Sequence, residues 1–173
     1  MPRLSPEELR ERMARDLPGA VLEPTPLRVA PPPAHGPQPA LFVTGDTVVA
    51  AGRLVEAALY LRDTLGYAFL SDIAVVDYLA DGIFELVYRF YTIEGGDGLV
   101  LKVRVPRDVP EVPSLTPYWP GANLHEREAF DLFGIIFTGH PFLRRIYMWD
   151  EFEGWPMRKD FPKQGDKYIG ADE

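Results

Sequence analysis

Cysteine is missing from all 173 residues. That single absence excludes disulfides, thiolate zinc sites, thiol nucleophiles and cysteine-ligated iron-sulfur clusters on this chain. Histidine is scarce, with three residues in total, His35, His125 and His140. Ser71 and Ser114 lie in no nucleophile-elbow sequence, so a serine triad has little to build on. Positive charge is also in deficit: 18 Lys and Arg against 26 Asp and Glu leave a net charge of -8. Such a chain repels a phosphate backbone, which excludes nucleic acid as a partner. Long apolar runs are lacking as well. The most apolar stretch, residues 73–87, is broken by Asp77, Asp81 and Glu85 and falls short of the roughly 20 residues that a membrane span needs. The opening "MPRLSPEELRER" has no apolar core of a signal peptide, so a cytosolic location is expected, with membrane association only through a partner.

What is present suits one domain, since a chain of this length buries about 70% of the surface its unfolded form exposes. "SPEELRERMARDL" reads as a short helix: Ser5 caps, Pro6 takes the first turn, Glu8 completes a capping box, and Leu9 and Met13 share a face. Most of the eighteen prolines fall in residues 20–39 and from Pro106 onward. Residues 20–39 are therefore read as an edge strand to about Ala30, then a polyproline spacer at 31–39. "ALFVT" reads as a strand, and "GDTVVAAGRLVEAALYLRDTLG" as a helix with Leu54, Ala58, Leu61 and Leu65 along one stripe before Gly66.

"FLSDIAVVDYL" is nearly continuous apolar sequence and reads as a central strand covered on both faces. Asp72 and Asp77 within it are expected to cap turns or strand ends. "FELVYRFYT" and "LVLKVRV" alternate, with Phe84, Leu86, Tyr88 and Phe90 on one face of the first and Leu99, Leu101, Val103 and Val105 on one face of the second. The glycines of "GGDG" join them as a hairpin; a phosphate loop would need a helix to follow, and a strand follows instead. The expected fold is α+β, a two-layer sandwich with a mixed sheet in the order helix, two strands, helix, three strands.

Residues 126–146, "EREAFDLFGIIFTGHPFLRRI", are dense in charge. A helix starting near Leu124 is expected, capped by Asn123 with Glu126 returning a bond, and closed by Gly134. Glu126 and Glu128 sit about 200° apart around such a helix and cannot share a substrate. Arg127 and Asp131, four residues apart, are expected to face each other, and Glu128 with Asp131 could hold an arginine. A metal reading joins Glu126 or Asp131 with His140, but it lacks a third local ligand. The competing reading of His140 is structural, tying the "TGHP" turn together.

From Pro141 onward no helical or alternating period remains, yet Phe142, Trp149, Phe152, Trp155 and Phe161 follow among Arg144, Arg145, Arg158, Lys159, Asp150, Glu151, Glu153 and Asp160. Arginines mixed with aromatic knobs are the composition of interface hot spots. An extended segment that buries one side only gains firmness when another protein covers the other. The chain is therefore divided into an α+β domain at 1–140 and an extended partner-docking tail at 141–173.

The dense run, followed by "EGWPMRKDFP", resembles the signature of the NADH dehydrogenase thirty-kilodalton subunit family of respiratory complex I, NADH-quinone oxidoreductase, whose relatives include the J subunit of the cyanobacterial and chloroplast version. Trp149, Phe152 and Met157 depart from the family's usual proline, tryptophan and leucine but keep apolar character. The resemblance implies a cofactor-free structural and assembly subunit of the peripheral arm, docked on the large quinone-site subunit at the cytoplasmic face of the cell membrane. It implies FMN, iron-sulfur clusters and quinone on partner subunits, and no catalytic site on this chain alone. The expected interface comprises Glu126, Arg127, Asp131, His140, Arg144, Arg145, Trp149, Trp155, Arg158, Lys159, Asp160 and Phe161. Two alternatives are the same subunit in a ferredoxin-driven or hydrogenase-type relative, and an independent metal-dependent hydrolase using Glu126, Asp131 and His140.

Overall fold

A computed structural model of the protein describes residues 4–23, 25, 27 and 46–162. Helix α1, Pro6–Asp16, forms as its capping box directs: Glu8 N–H donates to Ser5 Oγ at 3.2 Å, and Ser5 N–H to the Glu8 carboxylate at 2.8 Å. Leu9 and Met13 are buried beneath it. Strands β1, Val21–Leu22, and β2, Thr47–Val49, pair antiparallel. A 3-10 turn at Ala51–Arg53 leads into α2, Leu54–Asp63, whose Leu54, Ala58 and Leu61 are fully buried, with Leu65 just beyond. The sequence placed Thr47–Val49 inside that helix. These three residues instead pair in parallel with β5, Leu99–Pro106, and their side chains are all buried. The expected strand "ALFVT" and the proline spacer lie outside the described residues.

Strands β3, Phe69–Tyr78, β4, Ile83–Tyr91, and β5 form an antiparallel meander, giving a five-stranded mixed sheet ordered β1-β2-β5-β4-β3. The period-2 reading of β4 and β5 is the observed register: Phe84 opposes Val105, Leu86 opposes Val103, Tyr88 opposes Leu101 and Phe90 opposes Leu99, all in the core. β3 is an edge strand, not the central one expected. Among the described residues it pairs with β4 alone, its register shifts between Leu70 and Asp72, and Phe69 and Val76 stay exposed. Its apolar inner face is used by helix α3, Ala122–Phe133, which packs against it.

A second parallel pair, β6 at Glu111–Pro113 and β7 at Ile136–Thr138, brackets α3. No sequence period announced it. Helices and sheet bury one apolar cluster between them, from Leu9 and Met13 through Leu61 and Phe84 to Leu115 and Phe137. The architecture is thus the α+β two-layer sandwich with a mixed sheet.

Candidate functional site

Helix α3 is the post to which the following segment is fastened. Its N-cap is Gly121, with no side-chain cap bond, so the Asn123 cap with Glu126 does not form. Glu126 is fully buried and turned inward instead. Its carboxylate accepts from Ser114 Oγ at 2.5 Å, Leu115 N–H at 2.6 Å and Thr116 Oγ1 at 2.9 Å, fixing the loop that precedes the helix. Burial pushes its pKa above the usual carboxylate range, against these donors. Tyr88, buried nearby, is held protonated by burial and by the Glu126 charge.

Asp131 is also fully buried. The i,i+4 geometry made Arg127 its expected partner, but Arg127 donates to the carbonyls of Arg144 and Arg145 at 3.1 and 3.3 Å. Asp131 is claimed by the tail. Its Oδ2 accepts the backbone N–H groups of Ile146, Tyr147 and Met148 at 2.9, 2.6 and 3.0 Å, and its Oδ1 accepts Arg145 Nη1 at 2.7 Å. Burial alone would raise its pKa; four donors outweigh burial and bring it below the ordinary value. Arg145 continues inward, donating to the carbonyls of Phe152 and Gly154 at 3.1 and 3.0 Å, with its guanidinium 4.7 Å from the Trp155 ring centre. One buried ion pair thus ties a helix to three separate points of the tail.

Gly134 ends α3 with φ of 77°, as its position predicted. It also lets Trp155 lie on the helix end, since a Cβ there would come within 2.5 Å of the indole. Trp155 meets Phe130 edge-on at 5.5 Å. A second tie reaches the sheet. Asp77 accepts Lys159 N–H at 2.9 Å and pairs with Arg107 at 2.9 Å, and Arg107 pairs with Asp160 at 2.6 Å. Asp77 therefore caps the tail, not its own strand. Arg107 went unnoticed in the sequence because its partners lie 30 and 53 residues away. Asp72, by contrast, forms a cross-strand pair with Arg89 at 2.5 Å.

The metal triad is not assembled. Glu126 and Asp131 spend their oxygens on the donors above, and His140 Nε2 stands 3.9 Å from Glu126. Among the described residues no group of three or more metal-ligating side chains converges. His140 is structural: Nδ1 accepts Phe142 N–H at 3.0 Å, closing the turn, while its ring is buried. Of the expected interface residues, Glu126, Asp131 and the His140 ring are internal, and Arg145 is nearly so at 12% exposure. A partner could meet only the surface they hold in place.

That surface is apolar. Phe142, Tyr147, Trp149 and Met157 are each 56–63% exposed, beside exposed Arg144, Lys159 and Asp160. Leu124 on α3 is equally exposed. Phe142, Tyr147 and Met157, with Leu124, were absent from the expected interface. Exposure of large side chains was the only signal for them, and a sequence does not carry it. Arg144 lies over Phe142 at 4.3 Å from its ring centre.

A family model described as the 30 kDa subunit of respiratory-chain NADH dehydrogenase matches residues 47–167. The NADH-quinone oxidoreductase C subunit of Roseiflexus sp. (strain RS-1) is 49% identical over 124 residues, which cover 70% of this chain and 68% of that one. Its counterpart in Moorella thermoacetica (strain ATCC 39073 / JCM 9320) is 47% identical over 117 residues, covering 68% of this chain and 79% of that one. In structure, a chain of the membrane-bound sulfane sulfur reductase, an archaeal respiratory membrane complex, superposes with a TM-score of 0.67 at 23% identity. That match covers 91% of this chain and 85% of the other, and shows a shared fold.

Proposed function

Because the chain belongs to the family of the 30 kDa subunit of respiratory-chain NADH dehydrogenase, we propose that it is a structural and assembly subunit of an NADH:quinone oxidoreductase, docked by its C-terminal third on the large subunit that helps form the quinone site. The 1–140 domain is the scaffold and the segment from 141 is the docking tail. FMN, iron-sulfur clusters and quinone reside on the partner subunits, and this chain contributes no reacting group. Among the described residues no helix is long and apolar enough to cross a membrane, and the chain sits at the cytoplasmic face of the membrane through its neighbours.

The observation that carries this reading is the contrast within the tail. Its backbone is pinned by buried carboxylates, while Phe142, Tyr147, Trp149 and Met157 face outward. Holding large apolar groups in water in a fixed array costs free energy unless a second surface covers them. Truncating a hot-spot aromatic in such an interface core weakens binding by about 2 kcal/mol or more. Complementation of a strain lacking the chain tests the proposal. Trp149→Ala with Tyr147→Ala is expected to lower the amount of assembled complex and its NADH:quinone activity in the same proportion. Full assembly with lost turnover would place chemistry on this chain and overturn the reading.

A further inference from the structure

The tail also forms a groove of about 590 Å³ walled by Met148, Phe152, Phe161 and two prolines, with Arg158 and Lys159 at its side. Phe152 and Phe161 stack at 5.9 Å with 26° between their planes, giving the groove a flat aromatic wall. Arg158 is held in place: its Nε donates to Phe133 O at 2.7 Å, and its guanidinium lies over the Phe84 and Trp155 rings, 5.1 and 5.9 Å from their centres. The acids near it, Asp77 and Asp160, are engaged by Arg107. Among the described residues no carboxylate forms an ion pair with Arg158. Arg107 adds like charge beside it, and burial with that repulsion disfavours its charged form. Lys159 is exposed, and its backbone N–H is the group committed to a partner among the described residues.

An arginine ordered in an apolar groove, with no carboxylate partner among the described residues and a second cation adjacent, lacks one thing: a carboxylate arriving with an apolar group. We propose that this groove takes a segment of the partner subunit in which a large apolar side chain lies next to an Asp or Glu. The apolar group covers the Phe152 and Phe161 wall and the carboxylate is chelated by Arg158 and Lys159. A polyanion fits less well, because exposed Asp150, Glu151, Glu153 and Asp160 flank the groove in sequence. The inference rests on the docking proposal and specifies the chemistry of its partner.

The test measures how much of the other subunits co-purifies with a tagged copy of the chain produced in a strain lacking the native one, together with carbodiimide coupling of lysines to adjacent carboxylates in the recovered complex. Lys159→Glu, which leaves the backbone bond to Asp77 intact, is expected to weaken binding about 10- to 100-fold by like-charge repulsion. Arg158→Glu is expected to weaken it at least as much. Carbodiimide is expected to join Lys159 to an Asp or Glu of another subunit. If both variants bind as the wild type does while Trp149→Ala binds weakly, docking stands and the groove proposal falls. Coupling of Lys159 only to Asp166, Asp172 or Glu173 of its own chain, or to a second copy, also overturns it. If the wild-type chain fails to bind at all, the docking proposal itself falls, and this one with it.

Discussion

Replacing Asp131 with Ala removes the acceptor of three backbone N–H groups and of the Arg145 guanidinium, all at 2.6 to 3.0 Å in a site with no solvent exposure. Arg145 keeps its bonds to the Phe152 and Gly154 carbonyls, but the N–H groups of residues 146–148 lose their one acceptor. Breaking a buried ion pair costs about 3 to 5 kcal/mol, and a buried unsatisfied donor about 1 to 3, without full additivity. The loss falls on the junction between α3 and the tail, so the tail opens before the sheet unfolds. At roughly 1.4 kcal/mol per power of ten, the open population rises by about two to three powers of ten. Native-state trypsin digestion reads this directly: cleavage after Arg144, Arg145, Arg158 and Lys159 should accelerate by that factor while residues 47–106 stay protected. Asp131→Asn keeps one carbonyl oxygen and should fall between. Acidity provides an independent check. The folded pKa of Asp131 lies below its ordinary 3.8, so its stabilisation is complete above that value and is lost as pH falls through the depressed one. Pepsin cleavage of the wild-type tail should therefore climb as pH drops from about 4 toward 2, and the Ala variant should show no such step. Tail cleavage within twofold of wild type at neutral pH would refute the reasoning.

Gly134→Ala places a Cβ 2.5 Å from the Trp155 ring at a φ of 77°, and should cost about 2 kcal/mol or more in a urea melt through left-handed strain and displaced packing. Arg107→Ala strands Asp77, whose side chain is 2% exposed, and should lower stability by about 3 to 5 kcal/mol. Asp160 is itself 52% exposed, so Asp160→Asn should cost about 1 kcal/mol or less in the same urea melt. Glu126 has a folded pKa raised above 4.5 by burial, so wild-type stability should fall as pH rises from that value through the folded one. Glu126→Gln should remove that slope in urea melts taken between about pH 4 and 7.

Strands β4 and β5 were legible because a sheet buried on one face imposes strict alternation, and the Phe84 to Phe90 and Leu99 to Val105 sets obey it. The capping box of α1 was legible because it is local. Thr47–Val49 was not: a three-residue strand directly before a helix has no room to show a period, and only its pairing with Leu101 to Val103 defines it. β3 looked central because its apolar residues serve α3 as well as the sheet, a cover that the strand's own sequence does not distinguish from a second neighbouring strand. At the candidate site the residue types were legible and their pairing was not. Arg127 and Asp131 obeyed the local i,i+4 rule, yet three convergent N–H groups and a guanidinium from 14 to 17 residues away outcompete one exposed local pair. Glu126, apparently a helix-start acid, was drawn inward by Ser114, Leu115 and Thr116 for the same reason.

The central claim is that the outward face of the tail is covered by another subunit. Hydroxyl-radical footprinting measures it residue by residue, comparing the purified chain with the chain inside its native complex. Oxidation of Phe142, Tyr147, Trp149 and Met157, each more than half exposed in the free chain, is expected to drop about tenfold or more in the complex as a covering surface excludes solvent. Exposed Phe69 on the edge strand serves as the comparison site within the same chain. Equal oxidation of the four tail residues in both preparations would contradict the claim.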